Sequence, residues 1–412
     1  MDGFEVPPMP VRRTLFRLEW FSADIIRRIS RKVPTDSSVV RISLSYARRP
    51  ASSVTMECPS GGFAFGNYGR GGRFAETLRA GAGQILLSAS GSRVEVSDPV
   101  SGETLFRSGF RSGLAVEPGG DEAVRLLGRP YRGGFRVRAR RGALDIVNFV
   151  PFADYVKGVV ASEMHGRWPV EAVKAQAVCS RTFAAYRLHT HWMRGFDLCS
   201  MTHCHTYTGM GGITERTDRA VEDTCGEFLS IRGRIAAAMY SSCNGGACED
   251  PWTLLGFRFP HFRVGPDPHD SSAARIVRDY DWSRSLSGDE LGVMFSRRSL
   301  FRRYGRIVSV AVDRTETGGA KRVTFRDEAG RSRVLRKGRC KVWLELPSQH
   351  FGLGSSDGGI FRFDGSGYGH NVGMSQYGAC RMAMGGTGYK DILKFYFPGA
   401  GVSRLPEDGG HP

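Results

Sequence analysis

Between Val39 and about Asn148, short β-favouring apolar runs alternate with Gly, Ser and Pro: Val39-Val40-Arg41-Ile42-Ser43-Leu44, Gly62-Phe63-Ala64-Phe65, Gln84-Ile85-Leu86-Leu87, Arg93-Val94-Glu95-Val96 and Gly134-Phe135-Arg136-Val137. Their spacing predicts a β-rich N-terminal portion with hairpin-like connections. From Val150 to about Leu188 the spacing turns helical. Pro169 stands at a first helical position, Glu171 suits the positive end of the dipole, and Val170, Val173, Ala177, Ala184 and Leu188 form one apolar stripe.

Arg181 falls within that stripe. An arginine aimed at a core needs a partner, because an unpaired buried charge is costly. Glu163 ends the apolar run Val159-Val160-Ala161 and is the nearest candidate in sequence. The plainer alternative is that Arg181 snorkels from the edge of the stripe and Glu163 is solvated.

Further along, Phe228-Leu229-Ser230-Ile231 and Arg234 to Tyr240 read as a strand pair turning at Arg232-Gly233. It leads into Ser241-Ser242-Cys243-Asn244-Gly245-Gly246-Ala247-Cys248, where two glycines permit a tight turn. β character returns at Ile307 to Val312 and at Arg322 to Phe325. Alternating glycines at 365–373 precede a helix expected to start near Ser375, whose side chain can cap it. That cap places His370, Ser375 and Gln376 close together. The last element is a short amphipathic helix from Tyr389 to Tyr396, stopped by Pro398-Gly399.

These patterns predict an α+β fold: a β-rich N-terminal portion, then a mixed α/β catalytic core with an inserted β region. The expected divisions are a basic leader (1–38), the β-rich portion (39–148), the first part of the core (149–270), the insertion (271–360), a glycine-rich C-terminal part of the core (361–404) and a tail (405–412). A chain of 412 residues, 41% hydrophobic and 24% charged, is long enough for two or three such units.

The formal net charge of +17 calls for an anionic partner: nucleic acid, an acidic membrane surface or an acidic wall polymer. No nucleotide fingerprint or nucleic-acid-binding module supports the first. Residues 12–32 read as a basic amphipathic helix, either an ordinary packed helix or a peripheral membrane contact. The first thirty residues lack the apolar core of a secretory signal.

Nine cysteines leave at least one outside any set of internal disulfides. Cys199-Ser200-Met201-Thr202-His203-Cys204-His205 is rich in soft ligands. It lacks finger spacing and a second clean pair, which favours a disulfide or free thiols over a metal. Cys243 and Cys248, around their glycine turn, fit half a zinc site or a small-loop disulfide equally well.

Asp154-Tyr155-Val156-Lys157-Gly158-Val159-Val160 through Glu163-Met164, Trp168-Pro169 with Glu171-Ala172, Lys174-Ala175-Gln176-Ala177, Arg181-Thr182, Ser241 through Gly246, and Gly369 through Ala379 occur together in this order. In combination they resemble the bacterial stage II sporulation protein D group, also called the amidase-enhancer (LytB-like) domain. The resemblance runs from about Val39 to about Gly401.

It implies a lytic transglycosylase that cuts peptidoglycan glycan strands and leaves 1,6-anhydro-muramic ends, acting in the cell envelope. By position it makes Glu163 the catalytic acid/base and Arg181 the functional arginine. Gln176, His370, Ser375, Gln376 and Tyr377, within the matching motifs, are the substrate-binding candidates. No cofactor is implied for catalysis. The resemblance does imply a structural zinc near the glycine pair, for which Cys243 and Cys248 are the local candidates, although no histidine accompanies them.

One carboxylate stands out where ordinary glycosidases need two; a lytic transglycosylase can use one group twice. The rival is a non-catalytic activator that binds peptidoglycan or a cell-wall amidase. A cysteine nucleophile served by His370 is the remote third reading.

Overall fold

A computed structural model describes residues 33–405, apart from 45–50, 60, 70–71, 109–112, 257, 275–276 and 300–302. The basic amphipathic helix expected at 12–32 lies outside the described residues. The fold is α+β, β-rich at its N-terminal end.

Seven strands make the first sheet, in the spatial order Leu198–Cys199, Val39–Ser43, Ala143–Pro151, Gly134–Arg140, Leu114–Pro118, Phe63–Tyr68, Phe74–Ala80. All its pairings are antiparallel except that of Leu198–Cys199 with Val39–Ser43. Six more strands form a second sheet, in which Val54 and Met56, Ile85 and Leu87, and Val94 and Val96 are buried while the residues between them are half-exposed. That alternation is the two-residue period of a strand with one face on a core. The middle residues of Ala143–Pro151 are instead buried in a continuous run, because this strand is covered on both faces.

The same strand passes directly into helix α1 (Phe152–Glu163). After a short turn, helix α2 (Val170–Tyr186) begins one position later than the pattern suggests, with Pro169 as its cap residue. Helix α2 is the hub of the body. Ala172, Val173, Ala177 and Ala184 belong to the core shared with the two sheets, and Ala175, Val178 and Cys179 to a second core with Met239, Met374, Ile392 and Tyr396. Buried all round, α2 is not the one-striped helix its sequence suggests, and Val170 of that stripe is 38% exposed.

The predicted turn at Arg232-Gly233 is present between Glu227–Ile231 and Arg234–Ile235, with φ of 49° and 72° at its two central residues, as a two-residue hairpin requires. The strands at Ile307–Arg314 and Ala320–Asp327 belong to a unit with a core of its own, including Phe295, Ile307, Val323, Phe325, Phe351 and Phe363. From it the chain returns to the body: Tyr368 pairs with Cys243, and Met374–Ser375 lies parallel to Tyr240–Ser241. Helix α3 (Gln376–Met384) follows, capped as expected by Ser375 Oγ, which accepts the Gly378 amide at 2.9 Å. No helix among the described residues is long and apolar enough to cross a membrane.

Candidate active site

Glu163 is the last residue of α1 and is half-buried. Its Oε1 accepts the main-chain N–H of Thr206 at 3.0 Å. Thr206 is brought there because the 199–209 loop lies directly on α1: a side chain at Gly158 would sit 2.7 Å from the Gly209 carbonyl and from the Tyr207 ring. One turn on, Ser162 Oγ donates to the Gly158 carbonyl and lies 2.9 Å from Thr208 Oγ1, a second tie between helix and loop.

The carbonyl of Glu163 belongs to the orphaned acceptors at a helix end. Gln376 Nε2, from the first turn of α3, donates to it at 3.3 Å and to Gln176 Oε1 at 3.1 Å; Gln176 Nε2 in turn donates to Ser180 Oγ at 2.9 Å. Three distant segments thus converge on one residue, Glu163, the loop on its carboxyl and α3 on its carbonyl.

Two rings complete the surroundings. Desolvation and then the Glu163 charge push the Tyr240 phenol well above its ordinary pKa, which keeps it a neutral donor. The His205 ring is buried, lies 20° from parallel with Tyr240 and meets Tyr155 Oη through Nδ1 at 3.0 Å. Burial holds this imidazole down to about 3, and its Nε2 has no hydrogen-bond partner. In the sequence Tyr240 carries no motif signal of its own, and His205 and Thr206 stand out only as part of the ligand-rich run that begins at Cys199.

Arg181 departs from expectation. It is 1% exposed and donates to the Val221 carbonyl at 3.0 Å, and to Thr224 Oγ1 and the Glu227 carbonyl at 3.4 Å each. It therefore closes the C-terminal end of the helix Glu215–Asp223, where a cation suits the dipole, and is not presented to a substrate. Burial lowers its pKa.

Among the substrate-binding candidates, Gln176, Ser375, Gln376 and Tyr377 are each 2% exposed or less. Ser375 donates to Asp270, and Tyr377 packs on Trp168 at 4.8 Å. These four candidate side chains are packed inside, and none is presented at the surface. His370 is half-buried, with Nδ1 accepting the Val372 N–H at 3.1 Å; burial and the nearby Lys341 charge bring it down to about 4.

The metal assignment also changes. Gly245 and Gly246 do form the turn, with φ of 73° and 93°, yet Cys243 and Cys248 are both unbridged and belong to different cores. Cys248 lies against Asn244 and Asp267, and Cys243 pairs through its backbone with Tyr368.

The four donors that converge are His191, Cys199, His203 and Cys204, all buried, with ligand atoms within 4.8 Å of one another. Cys204 Sγ is 3.5 Å from His191 Nε2 and 3.4 Å from His203 Nδ1, while Cys199 Sγ is 3.8 Å from His203 Nδ1. Bond lengths of about 2.0–2.3 Å put the edges of a zinc tetrahedron at about 3.3–3.8 Å, the range of these three separations, and the donor set of two Cys and two His is one that zinc takes. Of the two neighbouring thiols, Cys204 is brought well below its ordinary pKa by Cys199, His191 and His203 against the opposition of burial, while the hydrogen bond with Cys204 and burial push Cys199 up. The signal available in sequence is His-x7-Cys-x3-His-Cys, whose first ligand lies beyond the end of α2.

Residues 140–230, which hold Glu163, Arg181 and the four metal donors, match the family model described as Stage II sporulation protein. The chain is 29% identical to an uncharacterised Brachyspira hyodysenteriae protein, over 71% of this chain and 77% of the relative. To the stage II sporulation protein D of Bacillus subtilis it is 25% identical, over 71% of this chain and 85% of the relative. To the amidase enhancer of Bacillus subtilis it is 26% identical over 59% of this chain, but that match spans only 39% of the relative. The domain match at 140–230 and these relatives make the chain similar to the stage II sporulation protein D family.

Proposed function

We propose that the chain is a peptidoglycan lytic transglycosylase of the cell envelope, with Glu163 as its single acid/base. The observation that carries this reading is the convergence of α1, the 199–209 loop and α3 on the Glu163 carboxyl and carbonyl. A carboxyl used twice must be supportable in both protonation states. The helix C-terminus, with its negative dipole end, favours the neutral acid, and the Thr206 N–H favours the carboxylate.

Neutral Glu163 gives its proton to the glycosidic oxygen as the bond from muramic C1 breaks. The resulting carboxylate then takes the proton of the sugar's own C6 hydroxyl, whose oxygen closes on C1 to form the 1,6-anhydro ring. No second carboxylate and no added water are needed. Tyr240, held neutral, can donate to the reacting groups without itself ionising.

A zinc held by His191, Cys199, His203 and Cys204 would have four protein ligands and no open position, so its contribution is structural. The basic charge of the chain would favour glycan strands stripped of peptides, which expose one lactyl carboxylate per muramic acid.

One relative's name, amidase enhancer, favours a second reading: a non-catalytic activator of a cell-wall amidase on the same fold. Mass spectrometry of denuded glycan strands incubated with purified protein decides between them. Anhydro-ended fragments from the unmodified chain, absent with Glu163→Gln, support the enzyme; no fragments from either supports the activator.

A further inference from the structure

The short helix Arg339–Leu344 of the unit around Phe295 and Phe325 meets Tyr368, which packs against the Glu163-bearing body. Lys341 of that helix places Nζ over the ring of Tyr368, 5.6 Å from its centroid. The same ammonium is close enough to His370 for its charge to disfavour the imidazolium. Burial lowers the Lys341 ammonium to about 8, so it remains mainly protonated at neutral pH but poorly hydrated.

Tyr368 and His370 are held firmly. Tyr368 exchanges two backbone hydrogen bonds with Cys243, at 3.0 and 3.2 Å, and the His370 ring is tied to the backbone of Tyr240 and Val372. The run they occupy continues through Met374 and Ser375, paired with Tyr240 and Ser241, to Gln376 at the Glu163 carbonyl. Six residues at about 3.3 Å each limit the distance between His370 and Gln376 to about 20 Å. That is a span of a few sugar rings.

We infer that Lys341 and the Tyr368 ring form a subsite for the lactyl carboxylate of a muramic acid residue on the strand bound at Glu163. The ammonium takes the carboxylate, the phenyl face packs on the sugar ring, and His370 holds the wall between this subsite and Tyr240. A desolvated cation gains more from an anion than a hydrated one does, which suits recognition of a repeating carboxylate. The subsite rests on the glycan-strand reading above, but gives the inserted unit a task that reading does not: selecting muramic acid over an uncharged sugar.

The test measures equilibrium binding by the full chain carrying Glu163→Gln, which blocks turnover. The probes are peptide-stripped glycan strands and the same strands with their lactyl carboxylates converted to amides. Amidation is expected to weaken binding about ten- to a hundredfold, the worth of a charge-assisted hydrogen bond. Adding Lys341→Met should cost the same factor on native strands and abolish the response to amidation, and Lys341→Arg should restore it. Lys341→Gln replaces Lys341→Met if the latter does not fold.

An affinity indifferent to amidation, or an amidation effect that persists undiminished without Lys341, overturns the subsite, as does absence of binding. Failure of the transglycosylase reading shows separately: the unmodified chain then releases no anhydro product while the carboxylate-dependent binding remains.

Discussion

The main-chain N–H of Thr206 reaches Oε1 of Glu163 across 3.0 Å, and Thr206 follows Cys204 by only two residues. The orientation of the carboxyl is therefore coupled to the Cys/His cluster that fixes the loop. Backbone donors of this kind cannot be swapped away by changing the Thr206 side chain, so the cluster and Gly158 are where the contact can be disturbed.

Glu163→Gln preserves the shape of the side chain and removes its proton chemistry. Turnover on denuded glycan is expected to fall by about 10²- to 10⁴-fold, the usual worth of a positioned acid/base, with stability changed by about 1 kcal/mol or less. Full turnover in a folded Gln variant refutes the role.

The four donors are expected to bind about one equivalent of zinc, with Cys204→Ser or chelation lowering both metal content and the melting temperature. Metal analysis beside a thermal melt checks this. Undiminished zinc in Cys204→Ser, or in a variant lacking His191, places the metal elsewhere.

Arg181→Met should act on folding and not on substrate affinity. It removes a buried charged donor from the Val221 carbonyl at the helix end and from Thr224 Oγ1 and the Glu227 carbonyl beside it, an expected loss of about 2–4 kcal/mol. Denaturant titration measures the loss. A KM that rises in a fully stable variant contradicts the assignment.

Asp197 gives a pH dependence. Burial alone would raise its pKa, but hydrogen bonds from Arg41 and His189, at 2.7 and 2.6 Å, overcome this and bring it to about 2. A carboxylate depressed on folding stabilises the native state above its unfolded pKa of about 3.9, and that stability disappears as pH falls toward 2. The contribution at neutral pH is roughly 2 kcal/mol, and Asp197→Asn should lower stability there while flattening the curve between about pH 4 and pH 2. Parallel curves for the two proteins over that range exclude the mechanism.

Much of this protein is written locally in its sequence. The alternating strands, the hairpin turn at Arg232-Gly233, the cap at Ser375 and the closing helix Tyr389–Tyr396 each depend on neighbours a few residues apart, and the spacing of side chains reports them directly. The motif order around Glu163 also pointed to the family whose model matches residues 140–230. Tertiary structure decided what required convergence. His191 joins Cys199, His203 and Cys204 only when the turn after α2 folds back on the loop, and a spacing rule for compact fingers misses it. Arg181 looked like a partner for Glu163 because they are near in sequence, whereas helix packing delivers it to the end of a later helix. The glycine-rich motif at 365–379 marked a place without saying which side chains face outward; burial on both sides of α3 put Ser375, Gln376 and Tyr377 inside. Periodicity is a property of one segment, but a site is made by several, and only their packing sets which groups meet.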